Sequence, residues 1–200
     1  MLMLVYVAFI GISSAAPKAK KDMKWVDVVN RSRTSQDICR AVKERVVYKA
    51  EHGDEWQAPE DTWAMKSGDC EDFALCVQEM CREIGQASSV YIISARDDSH
   101  QAHAVTVGSI GSKLWVSSNG DYREVWSFDE IKGVMALYWY CSVDNIELKT
   151  APNREERAAL GDRAAKVGNV TTSSKWVDSV KYIDETPKWA DVPQYVEDVR

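Results

Sequence analysis

The chain has 200 residues, 45% of them hydrophobic, which is enough to build a core and excludes a largely disordered protein. Its formal net charge of −6 argues against a nucleic-acid partner, which requires a basic face.

Met1–Ala16 is almost wholly apolar to Ile12 and closes on Ser13-Ser14-Ala15-Ala16 before Pro17. Small residues at Ser14 and Ala16 form an A-x-A-like cleavage site, so residues 1–16 read as a signal peptide and the mature protein as secreted or periplasmic. The run is shorter than the roughly 20 residues a spanning helix needs, and no other segment is a candidate, so no membrane span is expected in the mature chain. Residues 17–34 form a lead-in that begins rich in lysine, 35–150 a domain, and 151–200 a C-terminal helical and irregular extension. Five cysteines, Cys39, Cys70, Cys76, Cys81 and Cys141, remain after cleavage. An odd count leaves at least one thiol unpaired within the chain, while two disulfides among the other four or five reduced thiols are both compatible with the sequence.

Ser35 can cap a helix whose stripe is Ile38, Cys39, Val42, Val46 and Val47 and which Gly53 stops. Residues 53–69 read as a loop with Trp56, Pro59 and Trp63, and a second helix is expected from Cys70 to Glu83, ending at Gly85. The period then falls to two. Strands are expected at 89–95, 102–110 and 113–118, the last two joined by a Gly111-Ser112 hairpin, with Asn119-Gly120 as a second turn. A short strand at 124–128, a brief helical turn to Ile131 and a further strand at 136–143 complete the reading. Helices first and an antiparallel sheet after them give the class α+β.

Cys70 follows a Gly-Asp turn and opens an amphipathic helix. Free backbone N–H groups and the positive end of the helix dipole favour a thiolate there. Such a nucleophile needs a histidine as base and a polar group to orient it. His52 falls at a helix end and His100 at a polar loop tip, whereas His103 opens a strand that can hold its ring still. Partners across the Gly111-Ser112 hairpin have numbers summing to about 223, which sets His103 near 119–120. Asn119 is the first choice of orienting residue, Asp121 the second and Ser118 the third. Oxyanion donors are the Cys70 backbone N–H and a group from the 53–69 loop, with Gln57, Trp56 or Trp63 as options. The spacing of Cys70, Cys76 and Cys81 does not fit zinc knuckles, and H-E-x-x-H is missing.

Trp56-Gln57-Ala58-Pro59-Glu60-Asp61-Thr62, Gly68-Asp69-Cys70-Glu71-Asp72-Phe73-Ala74 and His103-Ala104-Val105 together resemble the bacterial transglutaminase-like cysteine peptidase family, over roughly residues 35–145. The resemblance implies a papain-like α+β core with N-terminal helices packed on an antiparallel sheet. It implies Cys70 as nucleophile and His103 as general base. The family's L-D-N falls at Ser117-Ser118-Asn119, so Ser118 stands where the family usually has its aspartate. The activity implied is a thiol-dependent hydrolase acting on peptide or isopeptide bonds of a protein or peptide substrate. The alternatives are a cross-linking acyl transferase and a non-catalytic binding module. No cofactor is required by this chemistry; calcium, held by Asp69, Glu71 and Asp72, is implied for some members.

Overall fold

The structure is a computed structural model that describes residues 23–50, 56–96 and 101–152. The leader, most of the lysine-rich lead-in, His52, His100 and residues 153–200 lie outside the described residues.

In chain order the elements are α1 (Trp25–Arg31), α2 (Ser35–Arg45), β1 (Val47–Tyr48), α3 (Pro59–Met65), β2 (Ser67–Gly68), α4 (Cys70–Glu83), β3 (Ser88–Ala95), β4 (Ala102–Ile110), β5 (Lys113–Ser118), β6 (Asp121–Val125), α5 (Phe128–Tyr138), a 3₁₀ turn (Val143–Asn145) and β7 (Ile146–Thr150). Five strands form one antiparallel sheet in the order β6-β5-β4-β3-β7, and β1 and β2 make a small parallel pair. This is the expected α+β class with helices on an antiparallel sheet.

The pleat divides the core. Val90, Ala104 and Trp115 face α4 and the N-terminal helices, while Ile93, Val105, Val107, Val116 and Ile146 face α5. Helix α4 lies against β4, with Thr106 Oγ1 donating to the Ala74 carbonyl at 2.7 Å.

Five local expectations change. The first helix ends at Arg45 rather than near Glu51, because the β-branched pair Val46-Val47 turns extended and pairs with Ser67. Within the 53–69 segment, Pro59 at the first helical position and Glu60 and Asp61 in the first turn build the short α3. The apolar run at 136–143 is no strand. Ser127 caps α5 by accepting from the Glu130 N–H, and Ile131, Val134, Met135 and Tyr138 give a helical stripe that outweighs the β-propensity of the aromatics. The strand expected at 124–128 is β6 at 121–125, because it pairs directly across the Asn119-Gly120 turn. Helix α1, inside the expected lead-in, belongs to the folded core through Val28. Cys39, Cys70, Cys76 and Cys81 carry free thiols.

The β4–β5 register, Gly108↔Trp115, lays the indole over Gly108, where a Cβ would come within 2.5 Å of the Trp115 ring. Gly108→Ala is expected to cost ~1–3 kcal/mol of stability by overpacking a fully buried tryptophan, read as a lower urea midpoint at unchanged slope.

Candidate active site

The site grows from the start of α4. Asp69 is the N-cap and accepts from the Asp72 N–H, while the Asp72 carboxylate accepts from the Asp69 N–H at 3.2 Å: a capping box. Asp72 also accepts the Gln57 N–H at 2.9 Å, which ties the Trp56-Gln57 segment to the helix start. Asp72 is fully buried. It leaves no room at Gly68, where a Cβ would fall 2.6 Å from Asp72 Cβ. The β1–β2 pair fixes that glycine, with the Lys49 N–H donating to the Gly68 carbonyl at 2.9 Å.

Cys70 is thus held at the first helical position and is 2% exposed. Its Sγ donates to Glu71 Oε2 at 2.8 Å. It packs with Ala74, Leu75, Val90 and Ala104, with Tyr48, Trp56, Ile92 and Ala151 around them. Its pKa does not fall as the helix terminus alone would suggest. Burial pushes the thiol well above its ordinary value and the adjacent Glu71 carboxylate adds to the rise, while the Ala104 backbone N–H opposes it. Cys39 is pushed up to about 12 and Cys81 to about 11, mainly by burial, and Cys76 is raised for the same reason.

His103, the second residue of β4, is buried, and burial lowers its pKa to about 4. Its Nε2 lies 2.8 Å from Ser118 Oγ on β5. The β4–β5 ladder ends at Thr106↔Ser117, and the imidazole–hydroxyl contact spans the two strands just beyond that point. Cys70 reaches the backbone of Ala104, the residue next to His103, but thiol and imidazole share no hydrogen bond. Sulfur points to Glu71 and the ring to Ser118.

The hairpin sum of 223 matches the observed register, yet the residue touching His103 is Ser118. Asn119 and Gly120 both have positive φ, 48° and 82°, and make the two-residue β5–β6 turn. The buried carboxamide atoms of Asn119 have no hydrogen-bond partner among the described residues. Asp121 is paired instead with Lys43 of α2. Ser118 is the diagonal neighbour of His103 on the same sheet face, a relation the pleat would have revealed in the sequence.

Among the oxyanion options, Trp56 packs against the Cys70 cluster, and the Gln57 side chain accepts from Thr62 Oγ1 at 3.4 Å. Trp63 belongs to the other core, edge-on to Trp25 at 6.0 Å and under the Arg45 guanidinium. The three carboxylates considered for calcium turn to separate partners. Asp69 caps the helix, Asp72 holds two backbone N–H groups and Glu71 takes the thiol. Among the described residues no group of three or more His, Cys, Asp or Glu is arranged to hold a metal ion.

Residues 26–120 match the family model of the transglutaminase-like superfamily. The chain therefore carries a transglutaminase-like superfamily domain, reaching from α1 to the turn after β5 and taking in Cys70, His103 and Ser118. Proteins of this superfamily commonly have cysteine-dependent acyltransferase or peptidase activity, and are typically enzymes. No curated protein matches the chain. No helix among the described residues is long and apolar enough to cross a membrane.

Two predictions follow from these burials. The unfolded chain binds a proton at His103 near pH 6.5 and the folded chain only near pH 4, so stability falls as pH drops through that window. The loss should approach ~3 kcal/mol, obtained as the difference between wild type and His103→Gln in urea midpoints followed from pH 7 to pH 4. Equal pH slopes for the two proteins would contradict it. Asp72→Ala should lose ~2–4 kcal/mol, because it removes a cap and strands two buried N–H donors, measured by thermal unfolding.

Proposed function

We propose that this domain is a thiol-dependent hydrolase, a cysteine peptidase acting on peptide or isopeptide bonds of a protein or peptide substrate through an acyl-enzyme. The features that support the reading are a buried imidazole on β4, held through Nε2 by Ser118, and a buried thiol at the start of α4 that lies against Ala104 of the same strand as the imidazole.

In this reading His103 donates its Nε2–H to Ser118 and keeps the Nδ1 lone pair for proton transfer. Its depressed pKa keeps it neutral at pH 7, ready to act as base. Cys70 attacks the carbonyl carbon as the S–H proton passes to Nδ1, forming the S–C bond and an oxyanion. In this reading the Cys70 backbone N–H and a donor from the Trp56-Gln57 segment other than the Gln57 backbone N–H, which Asp72 holds, stabilise that oxygen. The oxyanion collapses, the C–N bond breaks, and the imidazolium gives its proton to the leaving amine. Water, deprotonated by His103, then hydrolyses the thioester and restores the thiol. An amine in place of water would make the same intermediate a cross-linking step. Export, inferred from Met1–Ala16, belongs to this proposal.

A second reading, a weakly active or non-catalytic module, draws on two features. The orienting group is a neutral hydroxyl, and the resting thiol is bonded to a carboxylate rather than to its base.

The test is hydrolysis of a fluorogenic peptide library. Cys70→Ala and His103→Ala should abolish turnover. Ser118→Ala should lower kcat by ~10–100-fold with little change in KM, and Asn119→Ala should matter less than Ser118→Ala. Full activity in Cys70→Ala, or a larger loss in Asn119→Ala than in Ser118→Ala, would count against the assignment.

A further inference from the structure

The contact between Cys70 and Glu71 is the one feature of the site that the proposed chemistry does not use. Glu71 occupies the second position of α4, where a carboxylate ordinarily points to solvent and favours the helix dipole from outside. Here it is 4% exposed and its Oε2 lies 2.8 Å from Cys70 Sγ, itself 2% exposed. Resting on the reading of Cys70 as nucleophile, we propose that Glu71 is a positioning residue that latches the thiol, holding its S–H as a hydrogen-bond donor away from His103 until the site is engaged.

Three observations support the latch. A thiol has a single proton to donate, and that proton is committed to Glu71. His103 is occupied through Nε2 with Ser118, and no hydrogen bond joins it to the sulfur. Both groups are shielded from water, Glu71 at 4% and Cys70 at 2% exposure, so solvent does not compete for the contact. Release requires no covalent change. The S–H rotates from Glu71 Oε2 to His103 Nδ1, and the proton transfer described above then proceeds. The core thiols of Cys39 and Cys81 meet serine hydroxyls, Ser117 and Ser35, rather than a carboxylate.

The test uses the full chain in a Cys141→Ser background, because Cys141 is the one half-buried thiol outside the site, with EDTA present throughout. Iodoacetamide alkylation of Cys70 at pH 7 is compared between wild type and Glu71→Gln, with modified positions located by mass spectrometry. The latch predicts alkylation of Cys70 faster by about tenfold or more in Glu71→Gln, because an amide holds the S–H less tightly than a carboxylate, while Cys39, Cys76 and Cys81 stay unmodified. An unchanged or slower rate, or equal acceleration at the core cysteines, overturns it. The Raman S–H band isolated by subtracting Cys70→Ala from wild type supplies a readout that does not require the Glu71 variant to fold. A band lowered by strong hydrogen bonding supports the latch, and a band at the position of an unbonded thiol overturns it. Failure of the nucleophile reading is separate: it would appear as hydrolysis surviving in Cys70→Ala, whatever Glu71→Gln does.

Discussion

The Asp72 carboxylate is the point on which the site depends. It is one side chain at the third position of α4, yet it completes the capping box with Asp69 and anchors the Gln57 backbone. It gives the segment bearing Trp56 and Gln57 a backbone tie to the helix that carries Cys70, beside the packing of Trp56 on that helix. A buried carboxylate is tolerated only when its oxygens are hydrogen-bonded, and Asp72 satisfies this with backbone N–H groups that the helix start would otherwise leave without partners. The same crowding makes glycine necessary at position 68. The run Gly68-Asp69-Cys70-Glu71-Asp72 is therefore one mechanical unit: a close approach, a cap, a nucleophile position, its restraint and the anchor.

Two effects compete at the thiol, and their magnitudes decide the outcome. A helix N-terminus favours negative charge by ~0.3–1 kcal/mol at exposed sites and up to ~2 kcal/mol in partly buried ones, less than two pKa units. Full burial moves an ionisable group by up to ~3–5 units toward its neutral form. Burial wins, and Glu71 adds a like charge. Burial acts in the same sense on His103. The resting pair is thus neutral thiol and neutral imidazole, a different starting point from a preformed thiolate–imidazolium. In the proposed mechanism proton transfer then accompanies attack, and substrate binding supplies what removes the thiol from Glu71.

Much of this was readable from residue order. Helix α4 begins and ends where Asp69, Cys70 and Gly85 place it, and β4 and β5 follow from alternation and the Gly111-Ser112 turn. The hairpin sum gave the right register. It misdirected the choice of third residue because register names the partner directly opposite, while a long ring reaches the diagonal neighbour on its own face. Asn119 is the better hydrogen-bond acceptor on paper, but a left-handed turn position claims its backbone. Asp121 is claimed by Lys43, a contact 78 residues apart in sequence that no local pattern encodes. Helices α1 and α3, seven residues each, are too short for a period to stand out. In α5, aromatics with strand preference concealed a helix whose cap and stripe begin well before them.

Ser118 closes the argument about His103. A carboxylate in its place would stabilise the imidazolium and raise the histidine's pKa. A hydroxyl accepts the Nε2–H without adding charge, so nothing offsets burial, and burial is the sole cause of the shift at His103. The ring is oriented but not charged. For the proposed mechanism this gives a base in its neutral form, and an imidazolium more costly than it would be beside a carboxylate partner. A neutral orienter, a neutral base and a thiol bonded to its own neighbour share one consequence: in the proposed mechanism the reacting pair stays uncharged until a substrate arrives, beside the buried carboxylates of Asp69, Glu71 and Asp72.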